Sequence, residues 1–269
     1  MADTLIDIQD ISFSYFEDEY EDASETTVKT TETKVFDGIS LQIPTGVTSC
    51  IGQNGTGKST LMLLSAGILQ PNSGKIFLDG HDTADIADEE KRQHLVSFVY
   101  QNMEFETEED IGTLLKFVYQ NGYHKDKNDG LLDELIDVCQ LQDVLSRPLQ
   151  NVSKGESQRV IVAFSLLYGT PIVMMDEPVF ACEDYQKHRI FNYLKRYSAK
   201  YNVSILYSAH ELELSEQYSD NLVLFYRTKP PVVGATKELF TPKTLEEAYE
   251  APYSMLKVRE GFYRESLGK

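Results

Sequence analysis

Cationic side chains are scarce in this chain. Only 25 Lys and Arg stand against 43 Asp and Glu, and the formal net charge is −18. So acidic a polypeptide repels nucleic-acid phosphates and anionic lipid surfaces, so neither is expected as a general partner. Cysteine is sparse as well: Cys50, Cys139 and Cys182 are odd in number and form no C-x-x-C pair. This argues against a disulfide framework or a zinc site and suits a reducing compartment. No stretch approaches the roughly 20 apolar residues that span a bilayer. The opening Met1-Ala2-Asp3-Thr4 lacks a basic region followed by an apolar run, so no secretory leader is expected. What is present is 269 residues, 41% hydrophobic, enough for one large domain or one domain with an inserted subdomain.

The stretch Gly52-Gln53-Asn54-Gly55-Thr56-Gly57-Lys58-Ser59-Thr60 fits G-x-x-x-x-G-K-[ST]. Before it, Val47 to Ile51 is β-prone; after it, Leu61 to Leu64 is apolar and helix-prone. A strand-to-helix setting is where such a loop can act. Gly52, Gly55 and Gly57 let the backbone curl and aim N–H groups, Asn54's among them, at an anion. The following helix adds its positive end. Lys58 supplies a mobile charge for β- and γ-phosphates, and Ser59 a hydroxyl for Mg²⁺.

Around this loop the pattern predicts strands and helices in alternation. Leu5 to Tyr15 alternates apolar and polar residues and reads as a half-buried edge strand. The acidic run Glu17 to Asp22 and the threonine-rich run to Thr33 read as a hairpin or loop. Val35 to Ile43 resumes strand character, and Lys75 to Gly80 is a short strand. From about Asn102 to Asn151 amphipathic helical segments dominate, which reads as a helical subdomain inserted at 102–151. Beyond it come a helix at Val160 to Leu167, a strand at Pro171 to Met175 and a helix at Tyr185 to Ala199. A strand at Val203 to Tyr207, a helix at Leu212 to Tyr218 and a strand at Leu222 to Tyr226 follow. Residues 228–269 read as a short tail with a helix from Thr244 to Glu250. The expected fold class is α/β: a mostly parallel sheet with helices on both faces, an N-terminal antiparallel β part and the helical insertion.

A second motif supports the loop. Ile172-Val173-Met174-Met175-Asp176-Glu177-Pro178 is an apolar strand tipped by two acids. Asp176 at the tip can reach Mg²⁺ through water. Glu177 is placed to act as general base on a water attacking a γ-phosphate. Shortly before it stands Val152-Ser153-Lys154-Gly155-Glu156-Ser157-Gln158-Arg159, in which Ser153 and Glu156 form an S-x-x-E capping box at a helix start.

In this order the motifs resemble those of the ATP-binding cassette (ABC) ATPases, a P-loop fold, over about Leu5 to Tyr226. The resemblance implies ATP and Mg²⁺ as ligands. It makes Ser153, Gly155 and Glu156 the signature that faces ATP held by a second subunit, of the same or another chain. It likens Tyr15 to the aromatic that stacks on adenine, with Thr60 closing the phosphate loop. Gln101 resembles the glutamine that senses Mg²⁺ and water, and His210 the switch histidine that positions Glu177. Two positions depart from the family pattern: Lys154 replaces the first glycine of LSGGQ, and Glu183 stands where the family's D-loop has Asp. The resemblance further implies a cytoplasmic ATPase subunit on the inner membrane face, powering transmembrane permease subunits. Import is preferred, because the chain resembles the stand-alone ATPases of many bacterial importers; the tail from Leu245 to Pro252 is weakly similar to the C-terminal helix of metal-chelate and cobalamin import ATPases. An exporter or lipid-extraction ATPase, or a soluble ABC ATPase of assembly or repair, stays open.

Overall fold

The computed structural model describes residues 3–20, 28–103, 107–124 and 129–256. The chain opens with two 17-residue strands, β1 (Thr4–Tyr20) and β2 (Val28–Pro44), paired antiparallel from Thr4↔Pro44 to Tyr20↔Val28. β3 (Val47–Ile51) leads through the glycine-rich loop into α1 (Lys58–Ser65). β4 (Ser73–Leu78), β5 (His81–Asp82), α2 (Glu89–Arg92) and β6 (Val96–Val99) follow. Then come α3 (Ile111–Asn121), α4 (Asp129–Val138), two 3-10 turns at Gln142–Val144 and Leu149–Asn151, and α5 (Lys154–Tyr168). The remainder alternates: β7 (Ile172–Asp176), α6 (Asp184–Tyr201), β8 (Ser204–Ser208), α7 (Leu212–Tyr218), β9 (Asn221–Leu224), β10 (Val232–Ala235), α8 (Thr236–Leu239) and α9 (Pro242–Tyr249).

Two sheets result. The smaller runs β2-β1-β4-β5 and is antiparallel throughout. The larger runs β10-β9-β3-β8-β7-β6 and is parallel except for β10. Its inner strands β3, β7 and β8 are buried at every residue, as expected of a sheet covered on both faces. One apolar cluster joins the β1–β4 sheet to α1 through Ile6, Ile8, Leu61, Met62 and Met174. Another joins the far face of the large sheet to the helices. It runs without a break from Met175 and Ile205 through Val160 and Phe191 to Leu115 and Leu135 of α3 and α4. α3 and α4 therefore share a core with α5 and α6.

The structure corrects several expectations. β1 is not an edge strand: it lies between β2 and β4, with Ile6, Ile8 and Ile11 fully buried. Alternation reports which face is buried, not whether a strand has one neighbour or two. The acidic run follows the hairpin reading rather than the loop, because Glu17↔Thr31 and Tyr20↔Val28 continue the antiparallel pairing of β1 with β2; residues 21–27 lie outside the described residues. The tail contributes a strand, β10, as well as α9. α5 begins six residues before Val160, because the Ser153 cap nucleates it ahead of its first fully buried turn.

Phe191 of α6 fixes two helices to the sheet, its ring 4.6 Å from Tyr207 of β8 and 6.1 Å from Tyr218 of α7, with no exposure of its own. Phe191→Ala is expected to cost about 3–5 kcal/mol, read as a lower urea midpoint with unchanged slope.

Candidate functional site

β3, β8 and β7 end at one level: Cys50 and Asp176 both pair with Ser208. The loops after these strands, and after neighbouring β6, therefore meet at the carboxyl edge of the sheet, where open α/β sheets bind ligands. Each carries candidate residues: 52–60 after β3, Gln101 after β6, Glu177 after β7 and His210 after β8.

In the first loop, Gly52, Gly55 and Gly57 have φ of 146°, 76° and 96°. A Cβ on Gly52 would lie 2.7 Å from the Phe225 carbonyl oxygen, so this position is closed to other residues by contact as well as by dihedral. Gly57 is the N-cap of α1 and offers no side-chain cap. The first backbone N–H groups of the helix thus face the loop interior as donors for an anion. The Lys58 ammonium, only 7% exposed, donates to the Gly52 carbonyl at 2.9 Å and the Gln53 carbonyl at 2.8 Å. Burial lowers its pKa, and the fields of Glu177, Cys50 and Asp176 oppose that shift. The Thr56 hydroxyl donates to the Gln53 carbonyl at 2.8 Å, closing the loop on itself. Asn54, Gly55 and Ser59 are exposed on its open side. Tyr15 reaches the same place from β1: its hydroxyl lies 3.2 Å from Thr60 Oγ1, and its ring, packed edge-on against Phe13, is 37% exposed.

The carboxylates stand opposite. Asp176 is 7% exposed and accepts from the Ser208 hydroxyl at 2.5 Å, while Ser208 Oγ accepts from the Glu177 N–H at 3.0 Å. Glu177 has a left-handed φ of 51°, an uncommon conformation for a residue with a side chain, which turns it away from the strand line. Its carboxylate is held at both oxygens: His210 Nε2 lies 2.6 Å from Oε1, and Gln101 Nε2 donates to Oε2 at 2.7 Å. The carboxylate only accepts, so the His210 Nε2 facing it carries the proton. Burial pushes the Glu177 carboxyl up, but His210, Gln101 and Lys58 outweigh it and hold it below the usual range.

The helix start at Ser153 forms the capping box expected of it. Ser153 N–H donates to Glu156 Oε2 at 2.7 Å, and Glu156 N–H to Ser153 Oγ at 3.3 Å. The Ser153 backbone and side chain hold the Glu156 carboxyl below its usual range. Gly155 is needed for close approach, since a Cβ there would meet the Ala181 carbonyl oxygen at 2.5 Å. Lys154 points within its own chain, its Nζ donating to Asn102 Oδ1 at 3.1 Å, beside Gln101.

The structure thus gathers Lys58, Asp176, Glu177, Gln101 and His210, with Tyr15 beside the loop; Ser153, Gly155 and Glu156 form a separate helix end. Two contributors escaped the sequence reading. Ser208 ties Asp176 to Glu177, although as the end of the strand before His210 it was open to inspection. Lys187 of α6, 2% exposed, pairs with Glu211 at 2.5 Å and so braces the residue after His210, with no local sequence signal. Among the described residues no group of three or more His, Cys, Asp or Glu could hold a metal unaided. A serine hydroxyl, one carboxylate and an amide suit Mg²⁺, which draws its remaining ligands from phosphate and water.

Fold and site together define a P-loop nucleotide-binding domain. The chain matches the ABC transporter family over residues 36–180, more than half its length, and belongs to that family. The sulfate/thiosulfate import ATP-binding protein CysA of Synechococcus elongatus is 28% identical over 75% of this chain and 58% of the relative. The molybdenum import ATP-binding protein ModC of Haemophilus influenzae is 31% identical over 68% of this chain and 52% of the relative. The chain thus spans little more than half the length of these two. The lipoprotein-releasing system ATP-binding protein LolD of Ehrlichia chaffeensis is 31% identical over 69% of this chain and 82% of the relative. An ATP-binding subunit of an ABC transporter shares the fold with TM-score 0.71 at 22% identity, covering 96% of this chain and 100% of that one. A dimeric ATP-binding cassette bound to ADP and Pi does so with TM-score 0.68 at 18% identity, covering 86% and 98%.

A carboxyl with a depressed pKa adds stability above its unfolded-state pKa and loses it as pH falls through the folded-state value. Stability of the native chain is therefore expected to drop below about pH 5, and Glu177→Gln should flatten part of that drop in a denaturation series against pH.

Proposed function

We propose that this chain is the ATP-binding and ATP-hydrolysing subunit of a membrane transporter, in which two such subunits share each nucleotide. The observation that carries this reading is the doubly held Glu177 carboxylate facing the loop that buries Lys58. Tyr15 offers its partly exposed ring to stack on adenine, and the loop N–H groups and Lys58 take the phosphates. Ser59, Asp176 and Gln101 would hold Mg²⁺, which when bound neutralises charge building on the phosphates. Glu177 stays ionised at neutral pH. With one hydrogen bond at each oxygen it keeps lone pairs to orient and polarise a water. His210 fixes its angle through the Nε2 contact.

The second half of the site would come from the Ser153 helix end of another copy or a related chain. That end is preorganised by its capping box and carries the dipole that favours an anion. The dimeric cassette that shares this fold supports such an arrangement.

The permease would dock in an apolar groove of 580 Å³ between the sheet edge and the helical insertion, lined by Val96, Phe98, Tyr100, Leu114, Phe117 and Phe164. Phe117 is 61% exposed and Tyr100 43%, and Tyr100 adjoins Gln101 in the chain. No helix among the described residues is long and apolar enough to cross a membrane, so the membrane path would belong to the partner. On this reading the chain works at the cytoplasmic face, bound through the permease. Import is the preferred direction, supported by the import proteins among its relatives. The lipoprotein-releasing relative favours a second reading, extraction of a lipid-bearing substrate.

Glu177→Gln keeps the shape and removes the base. It is expected to slow ATP turnover by about 10²-fold or more and to accumulate an ATP-bound dimer on light scattering. Unchanged turnover would contradict the role given to Glu177.

A further inference from the structure

We propose that Tyr249, at the end of the C-terminal helix, is a positioning residue for the phosphate loop, and that α9 is a strut of the nucleotide site. This rests on the reading that the loop binds ATP. The peptide between Ile51 and Gly52 is where the chain leaves the sheet and enters the loop. Its carbonyl accepts from the Phe225 N–H at 2.8 Å, and its N–H donates to the Tyr249 hydroxyl at 3.0 Å. The next carbonyl, Gly52's, holds the Lys58 ammonium. The phenol therefore lies one peptide away from the group that grips Lys58, and it satisfies the buried N–H that sets the plane of that peptide.

A second contact runs parallel. Gln53 Nε2 donates to the Ala248 carbonyl at 3.3 Å, so two consecutive loop residues lean on two consecutive tail residues. The tail is held firmly enough to bear them. Leu245 and Ala248 are fully buried in a cluster with Ile51, Leu222 and Leu224. Thr241 caps α9, Pro242 starts it, and Glu250 ends it in a left-handed turn with φ 51°. Lys229 pairs with Glu247 on the solvent side. Tyr249 is thereby placed by burial and capping on one short helix, with the surface pair adding nothing to its aim, and its hydroxyl reaches the Gly52 N–H. A movement of the C-terminal segment would tilt that peptide and loosen the grip on Lys58.

The test compares wild type, Tyr249→Phe and Glu247→Gln. Phenylalanine keeps the ring and deletes only the hydroxyl; Glu247→Gln breaks the surface pair of the same helix without touching the loop. In the nucleotide-free protein, Tyr249→Phe is expected to speed amide hydrogen exchange at Gly52 by about 3- to 10-fold, the worth of one hydrogen bond. It should raise the KM for ATP by a similar factor and leave kcat near wild type, while Glu247→Gln changes none of these. Unchanged Gly52 exchange in Tyr249→Phe, or an equal effect of Glu247→Gln, overturns the strut. Faster Gly52 exchange in a chain whose wild type binds no ATP would uphold the strut and refute the nucleotide reading instead.

Discussion

A lysine ammonium almost out of reach of water is the constraint on which the site depends. An isolated buried charge is too costly to keep, so Lys58 must find acceptors or lose its proton. The chain supplies the Gly52 and Gln53 carbonyls, which can turn inward only because Gly52 and Gly57 take positive φ. Beyond them stand Asp176 and Glu177, whose fields favour the charged amine against its burial. The order of the sheet follows from the same demand. β3 must lie one strand from β7 for the lysine and the carboxylates to face each other, and β8 between them supplies Ser208 and then His210. In a chain of net charge −18, one buried amine thus stands between backbone N–H groups and two carboxylates.

Glu177 illustrates a second consequence. Its left-handed backbone costs energy that an ordinary turn would avoid, and it persists because Ser208, Gln101 and His210 over-determine it. The same partners that hold the carboxylate also keep it ionised. Gln101 comes from the segment between β6 and α3, so the carboxylate is held from outside its own strand and loop. Lys154 extends this link, because its contact with Asn102 ties the Ser153 helix end to the residue after Gln101. A glycine, as in the usual family signature, could make no such tie.

Much of this was legible in the sequence because it is local. The loop 52–60, the strand ending at Asp176-Glu177 and the S-x-x-E cap are contiguous patterns, and each folds as its own chemistry directs. Helix and strand order was legible for the same reason, down to the alternation that makes the large sheet parallel. What was not legible depends on neighbours distant in sequence. Alternation in β1 could not reveal that β4 flanks its other side. Nothing near Tyr249 signals a contact with Gly52, 197 residues away. The buried pairing of Lys187 with Glu211 reads from the sequence as two surface charges. The side chain of Lys154 could be placed only once Asn102 was seen beside it.

The central claim is that the loop holding Lys58 is half of a site and the Ser153 helix end of a second chain is the other half. The most direct test mixes a chain carrying Asn54→Cys with one carrying Lys154→Cys and adds a mild oxidant. The three native cysteines are buried and stay out of the reaction. With Mg²⁺ and ATP, the account expects a disulfide-linked pair joining the two variants, absent without nucleotide. Failure to form that pair while both variants still bind ATP would contradict it.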